Sequence, residues 1–186
     1  MRLFVALDLS NAVRAGIANF CETLRADFPS ARWVRSEGIH VTLKFIGEVS
    51  DGRVEQIEDA LGTVVCNAAV EMRFRGTGFF PNEWRPRVFW IGIEATPNLA
   101  EIAAQFETML EPLGIARESR EFKPHLTLAR IEETRGIEKL HDAIRRIGPV
   151  DFGTVRTNEM YLYRSELGRG GAKYTRLKTF TFAKRQ

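Results

Sequence analysis

The chain has 186 residues, of which 44% are hydrophobic and 27% are charged, a balance typical of soluble globular proteins. This length is sufficient for one well-buried domain or for two small lobes that share a core. The formal net charge of +3 is compatible with a nucleic-acid or phosphate ligand, although a solvated basic surface would explain it equally well. No apolar run reaches the roughly eighteen residues of a membrane-spanning helix, so none is expected.

The N-terminal segment MRLFVALDLS has the pattern of a first β-strand, since a signal peptide would have a longer apolar region and a small-residue cleavage site. Cys21 and Cys66 both lie in segments with a helical pattern and match no metal-binding or redox spacing. We therefore expect free thiols in a reducing compartment and a cytoplasmic protein.

The first half of the chain predicts a strand over residues 3–9 and a helix that Ser10 caps and Pro29 ends. A strand over 39–47 follows. Ser50 or Asp51 is then expected to cap a second helix, and residues 70–75 form the next strand. The apolar faces of the two helices are Val13, Ile17, Phe20 and Leu24, then Ile57, Leu61, Val64 and Val65.

The second half repeats this order. Residues 76–86, dense in Gly and Pro, are expected to form a crossover into a strand over 87–95. Thr96-Pro97 starts a helix that Gly114 ends, and a strand over 125–131 precedes a helix capped by Thr134. Two further strands, EMYLYRS and YTRLKTFTF, complete the chain.

The repeated order indicates an α+β fold built from duplicated βαβ-type units. Two antiparallel-type sheets would face each other across a central cleft, with the helices outside. We expect a single domain over residues 1–186, with lobes near 1–75 and 87–186 and with exchange of strands between the lobes allowed.

The tetrad H-x-T-L occurs twice, at residues 40–43 and 125–128, in a chain with three histidines. Because side chains alternate along a strand, His40 and Thr42 point to one side, and so do His125 and Thr127. Each tetrad occupies the same place in its half. If the halves face each other, two His–Thr pairs meet across one cleft.

Two imidazoles suit paired proton transfer, in which one takes a proton from a nucleophile and the other protonates the leaving group. Threonine hydroxyls are good donors to phosphoryl oxygens, so the set fits in-line displacement at phosphorus. It fits zinc poorly, because zinc needs three or four His, Cys or carboxylate ligands. No Walker-type glycine loop is present. We expect neither a metal ion nor a cofactor.

Three cations adjoin the tetrads. Arg130 is a candidate to bind substrate phosphate, although a regular strand would point it away from His125, so a bend is needed. Lys44 and Lys123 share face parity with the histidines and are candidates to neutralise phosphate charge, but each is more typical of a strand end in solvent. Phe45 has the parity of the apolar back face and is expected in the core.

Aromatic residues add candidates for base stacking. Trp84 lies beside arginines in the polar segment and is a better candidate than Trp33, whereas Trp90 is expected to be buried. Residues 164–174 are expected to form a glycine-rich loop that either closes over RNA or is a plain hairpin tip. His141 is expected on the surface of a helix.

The segments IHVTLKFIG and PHLTLAR resemble the paired H-x-T-x motifs of the two-histidine phosphoesterases. With MRLFVALDL, RWV, RPRVFWIG and LYRSEL…YTRL, nearly the whole chain resembles the bacterial and archaeal RNA 2′,3′-cyclic phosphodiesterases, also called 2′-5′ RNA ligases. The resemblance implies hydrolysis of a terminal cyclic phosphate to a 2′-phosphate. It also implies that His40 is the proton donor and His125 the acceptor, roles that the residues alone leave open.

The expected partner is RNA with 2′,3′-cyclic phosphate ends, tRNA fragments included, and the expected state is a monomer. The same His pair would also allow reversible 2′-5′ RNA ligation without ATP. Two other hypotheses stay open. One is a phosphodiesterase for small cyclic phosphates or 2′-5′ oligonucleotides. The other is a non-catalytic clamp that binds RNA.

Overall fold

Over residues 1–168 and 171–183, which the computed structural model describes, nine strands and four helices form an α+β fold. The strands are β1 Arg2–Leu7, β2 Arg32–Trp33, β3 Val41–Glu48, β4 Val70–Phe80, β5 Val88–Ala95, β6 His125–Arg130, β7 Asp151–Thr157, β8 Glu159–Gly168 and β9 Gly171–Thr181. The helices are α1 Asn11–Asp27, α2 Val54–Gly62, α3 Asn98–Leu110 and α4 Ile137–Ile147.

The strands form two sheets in which all neighbours are antiparallel. Sheet A has the order β3-β1-β8-β9, and sheet B has the order β2-β6-β5-β4-β7. Each sheet thus takes strands from both halves of the chain, and each contains one tetrad strand. These two strands, β3 and β6, contact each other. The predicted α+β class with two antiparallel sheets is confirmed.

The helices cover one face of each sheet. Helix α1 packs on β7 and α4, whereas α2 packs on α3 and β9, and α3 packs on β3. The periodicity predicted for α1 is confirmed, because its apolar stripe is buried and the Ser10 hydroxyl accepts a hydrogen bond from the Val13 N–H at 3.4 Å. Each fully buried Leu, Ile or Phe side chain contributes about 1.5–3 kcal/mol through the hydrophobic effect.

Strand β1 shows how the two faces of a sheet differ. Leu3, Val5 and Leu7 belong to the main core beneath the helices. Phe4 and Ala6 point the other way and form a separate cluster with Tyr163. We call the side turned away from the helices the inner face. The tetrad threonines also lie on this side, so the cluster of Phe4, Ala6 and Tyr163 adjoins the candidate site.

Three residues predicted to cap helices do not cap them, and one cysteine lies outside its predicted helix. The hydroxyl of Thr96 bonds the backbone N–H of Glu71 instead of capping α3. Helix α4 starts after Gly136 without a side-chain cap, so Thr134 does not cap it. Ser50 makes no cap bond either, because a 3₁₀ turn, Asp51–Arg53, precedes α2. Cys66 follows α2 and lies outside it, although both cysteines are free and buried.

The prediction that the glycine-rich segment 76–86 forms a crossover between the halves is wrong. Strand β4 continues to Phe80, and residues 81–87 form the turn of a β4–β5 hairpin. Gly78 is needed inside β4, because a Cβ there would lie 2.3 Å from the Trp90 ring. Glycine in a strand interior often marks such a close approach, and here it permits Trp90 to lie across the strand.

The C-terminal part also differs. Strand β7 was not predicted. The expected loop 164–174 consists largely of the paired ends of β8 and β9, with Gly168 opposite Gly171, while Arg169 and Gly170 lie outside the described residues. In the part of the chain that the structure describes, no helix is long and apolar enough to cross a membrane.

Candidate active site

His40 immediately precedes β3 and packs among aromatic rings on the inner face of sheet A. Its imidazole stacks on Phe4 with 4.7 Å between ring centroids, and Tyr174 meets it edge-on at 5.0 Å. Tyr163 stacks on Phe4 at 5.3 Å and also lies 5.9 Å from the imidazole, nearly parallel to it. This burial lowers the pKa of His40 to about 4, an effect that the nearby Asp8 carboxylate opposes. Without a ligand, His40 is therefore neutral at pH 7.

The backbone before His40 is tied to helix α1. The Arg14 guanidinium donates to the carbonyl oxygens of Ser36 at 2.9 Å and Ile39 at 2.6 Å. Arg14 also lies 3.8 Å from the carboxylate of Asp8. Since Ile39 is the residue before His40, Arg14 acts as a positioning residue for the imidazole.

Asp8 connects several groups around His40. Its carboxylate accepts a hydrogen bond from the Tyr163 hydroxyl at 2.9 Å and pairs with Arg176. Burial raises the pKa of Tyr163, so its hydroxyl stays protonated and donates. Arg176 also lies over the Tyr161 ring at 3.9 Å from the centroid, a cation–π arrangement. Sequence reasoning missed this network, whose signals are an acid within an apolar strand and the alternating tyrosines of YLYRS.

His125 begins β6 on the inner face of sheet B. Its Nδ1 lies 2.7 Å from the Lys123 carbonyl oxygen. A carbonyl oxygen only accepts, so Nδ1 carries the proton and Nε2 of the neutral ring keeps its lone pair. Phe80 meets the ring edge-on at 5.0 Å. Lys123 thus contributes its backbone at this site, and its exposed side chain has the solvent position expected of a strand end.

Each threonine lies two residues after its histidine and pairs with a residue of the neighbouring strand. Thr42 is paired with Ala6 of β1, and Thr127 is paired with Trp90 of β5. Both side chains are half-buried. Within residues 1–168 and 171–183 neither hydroxyl has a hydrogen-bond partner, so both remain available as donors to a ligand.

A bulge occurs at the fourth residue of both tetrads. In sheet A, Thr42 pairs with Ala6 and Lys44 with Val5, which leaves Leu43 as the extra residue. In sheet B, Thr127 pairs with Trp90 and Ala129 with Phe89, which leaves Leu128 as the extra residue. Because an extra residue shifts the register by one, the residues that follow change face.

The bulge in sheet B supplies the bend that Arg130 needs. Arg130 pairs with Val88, so it lies on the inner face with His125 and Thr127. Its side chain is exposed. The structure thus brings Arg130 to the same side of the strand as the second His–Thr pair.

The bulge in sheet A makes two expectations wrong. Phe45, expected in the core, occupies the position equivalent to Arg130 and is 59% exposed. Lys44, expected near phosphate or in solvent, turns into the core and is 5% exposed. There it pairs with Glu107 at 2.6 Å and donates to the Ala116 carbonyl oxygen at 2.8 Å.

Four candidates remain from the sequence, the three tryptophans and His141. Trp84 is exposed at the hairpin tip, whereas Trp90, expected to be buried, is half-buried. Trp33 is half-buried, and its indole donates to the Phe28 carbonyl oxygen at 2.9 Å. His141, expected on the surface, is half-buried against Phe79, 5.1 Å away. Among the described residues, no three His, Cys, Asp or Glu side chains cluster as metal ligands.

The model of the family described as LigT like Phosphoesterase matches residues 7–90 and again residues 91–174. Each match contains one His–Thr tetrad, so the family pattern recurs in both halves of the chain. The chain belongs to the LigT-like phosphoesterase family.

Curated relatives match this phosphoesterase over almost its whole length. The RNA 2′,3′-cyclic phosphodiesterase of Methanothermobacter thermautotrophicus is 32% identical over 97% of this chain and 98% of its own. That of Methanocaldococcus jannaschii is 34% identical over 96% and 99%.

Among solved structures, TT0787 of Thermus thermophilus matches with a TM-score of 0.80 and 32% identity over 98% of both chains. E. coli LigT complexed with 3′-AMP matches with a TM-score of 0.76 and 28% identity over 97% of both.

Proposed function

We propose that this phosphoesterase hydrolyses RNA 2′,3′-cyclic phosphate ends to 2′-phosphates, with His40 and His125 as proton donor and acceptor and without a metal ion. One observation carries the proposal: two His–Thr pairs lie on the inner faces of different sheets, on the contacting segments β3 and β6. The relatives named RNA 2′,3′-cyclic phosphodiesterase support the substrate.

In the proposed reaction a water oxygen attacks phosphorus and its proton passes to Nε2 of His125, the nitrogen that the Lys123 carbonyl leaves free. The bond between phosphorus and the 3′ oxygen breaks, and this oxygen takes a proton from His40. Cyclic phosphodiester and water thereby become a 2′-phosphomonoester and a 3′-hydroxyl. Thr42 and Thr127 donate to the non-bridging oxygens, where negative charge accumulates.

The donor role of His40 depends on the bound substrate. With a pKa of about 4, only about one His40 in a thousand is protonated at pH 7. An anionic phosphodiester beside the ring favours the imidazolium and raises this pKa. Asp8 acts in the same direction.

The same groups also account for RNA ligation, in which the cyclic phosphate opens as it does in hydrolysis but with a different nucleophile. If a 5′-hydroxyl is the nucleophile in place of water, His125 takes its proton and a 2′-5′ linkage forms. The energy of the cyclic phosphate is conserved in the new diester, so ATP is not required.

The deciding experiment incubates the protein, in EDTA and without nucleotide, with a short RNA that ends in a 2′,3′-cyclic phosphate. A 2′-phosphate product that His40→Ala and His125→Ala both fail to make supports the proposal. A 3′-phosphate product would mean that the 2′ oxygen leaves instead of the 3′ oxygen. Activity that disappears in EDTA and returns with zinc would overturn the metal-free scheme. Turnover of cyclic mononucleotides alone would favour small cyclic phosphates as substrates, and RNA binding without turnover would favour the clamp.

A sulfur-substituted substrate separates the roles of the histidines. When sulfur replaces the bridging 3′ oxygen, the leaving thiolate needs no proton, so loss of the proton donor is tolerated. We expect His40→Ala to regain activity on this substrate and His125→Ala to remain inactive. The opposite pattern would exchange the two roles.

A further inference from the structure

The tip of the β4–β5 hairpin holds a tryptophan out in solvent. Trp84 is 89% exposed. The turn is held in shape by Asn82, whose side-chain oxygen accepts hydrogen bonds from the backbone N–H groups of Trp84 at 3.0 Å and Arg85 at 2.9 Å. A single exposed apolar side chain is common on protein surfaces. This one is notable because of what lies at the base of the hairpin.

The base of the hairpin is part of the active site. Phe80, the last residue of β4, contacts His125 edge-on at 5.0 Å and packs on Trp90 at 5.1 Å. Trp84 follows four residues later, which allows about 14 Å of extended chain at most. The indole therefore lies within reach of nucleotides that adjoin the one bound at His125.

Two arginines lie in the row of paired strand residues that ends at Phe80, beside the hairpin. Arg32 pairs with Arg130, Arg130 pairs with Val88, and Val88 pairs with Phe80. Adjacent strands lie about 4.8 Å apart, so this row crosses the end of sheet B from which the hairpin projects. Beyond it, Arg85 and Arg87 line a cavity of about 340 Å³ together with Glu132 and Thr134.

The charge of this region is positive. Arg32 and the segments 81–87 and 130–135 together hold three carboxylates, Glu83, Glu132 and Glu133, against five guanidinium groups, those of Arg32, Arg85, Arg87, Arg130 and Arg135. Glu132 pairs with Arg32 at 2.9 Å, and its backbone carbonyl accepts from Arg87 at 3.0 Å. In the described ranges, Arg85 and Arg130 have no ion-pair partner. Two guanidinium groups are thus free to bind phosphates.

We infer that the hairpin tip at residues 81–87, with Arg130 beside it, binds the single-stranded RNA that precedes the cyclic phosphate. Trp84 stacks on a base and Arg85 contacts a backbone phosphate, while Arg130 holds the cyclic phosphate itself. Aromatic stacking combined with a basic track is how proteins hold single strands without reading sequence. The inference rests on the proposed function and adds that this phosphoesterase prefers an oligonucleotide to a cyclic mononucleotide.

The test compares kcat/KM on a cyclic mononucleotide with kcat/KM on an RNA of about six nucleotides, a length within the usual site sizes for single strands. We expect Trp84→Ala to reduce the oligonucleotide value about tenfold more than the mononucleotide value, mainly through KM. Trp84→Phe should retain most of the wild-type preference. Arg85→Ala should lower the salt dependence of oligonucleotide binding by about one phosphate contact.

Two exposed residues elsewhere serve as controls, Ile147 and Arg145 on α4. Ile147→Ala and Arg145→Ala should leave the ratio of the two kcat/KM values unchanged. An unchanged ratio in both Trp84→Ala and Arg85→Ala, with wild-type protein active on RNA, would overturn the inference and leave the proposed function intact.

A binding measurement distinguishes failure of this inference from failure of the proposed function. An RNA of the same length with a 2′-phosphate end should quench tryptophan fluorescence, and Trp84→Phe should lose that quenching. If the wild-type protein hydrolyses neither substrate, the proposed function fails, while quenching that depends on Trp84 still supports the RNA surface. Equal quenching in wild-type protein and Trp84→Phe would contradict it.

Discussion

Thr127 and Arg130 lie on the same face of β6 although they are three residues apart, because Leu128 is the extra residue of a bulge. The same displacement occurs in β3, where Leu43 is the extra residue and Phe45 returns to the face of Thr42. The duplication of this fold therefore includes a bulge at the fourth tetrad position. It places an arginine at one end of the site and an exposed phenylalanine at the other.

The position of Arg130 predicts a role in binding the substrate anion. Arg130→Ala should raise KM for a cyclic mononucleotide about tenfold, since a hydrogen bond between charged groups contributes about 1.5–3 kcal/mol. Arg130→Lys should recover part of the loss, because it keeps the charge but loses the bidentate fork. Steady-state kinetics would measure both. Arg145→Ala, on the exposed side of α4, is the control, and equal KM values for all three variants would exclude this role.

The free hydroxyls of Thr42 and Thr127 predict a different kinetic effect. Replacement by valine keeps the shape and removes the donor, so charge on the non-bridging oxygens is less stabilised in the transition state. We expect each of Thr42→Val and Thr127→Val to lower kcat about 10²-fold, with little change in KM. Thr154→Val on the exposed side of β7 should have wild-type kinetics. A rise in KM alone would indicate ground-state binding instead.

The sequence was sufficient to locate both His–Thr pairs, because the tetrad repeats and strand alternation is a local property. It was insufficient for Lys44 and Phe45, since each bulge depends on pairing with β1 or β5, strands distant in the sequence. Asp8 was missed for a similar reason. Its partner Tyr163 is 155 residues away, and an acid within an apolar strand does not by itself show which groups it meets.

Strand β7 illustrates a second limit. Only Val155 among its residues is buried, so the segment lacks the apolar alternation by which strands are recognised. Its pairing with β4 at the edge of sheet B defines it as a strand. The segment 76–80 was misread because its glycines are typical of a linker. In the strand, Gly78 accommodates the Trp90 ring, and Gly76 is the extra residue of a bulge with a φ of +64°.

The buried pair of Lys44 and Glu107 predicts a large stability effect away from the active site. Glu107→Gln leaves the Lys44 ammonium in the core without a counter-ion, and this should lower the free energy of unfolding by about 3 kcal/mol. The pair of Lys178 and Glu58, at 2.8 Å, has an equally half-buried carboxylate but a lysine that is 45% exposed. It is the matched control, and Glu58→Gln should cost under about 1 kcal/mol. Urea unfolding would measure both. Equal losses would show that Lys44 reaches solvent when its partner is removed.

The lowered pKa of His40 predicts how stability depends on pH. The ring titrates near 4 in the folded protein and near 6.5 when unfolded, so between these values the unfolded state binds the extra proton. The free energy of unfolding should therefore fall on acidification from about pH 6.5 to about pH 4, by up to about 3 kcal/mol from this group. His40→Phe can still stack on Phe4 but cannot titrate, and urea unfolding should show this component missing. Parallel pH dependences for the two proteins would mean that His40 accepts a proton in the folded state near its ordinary pKa.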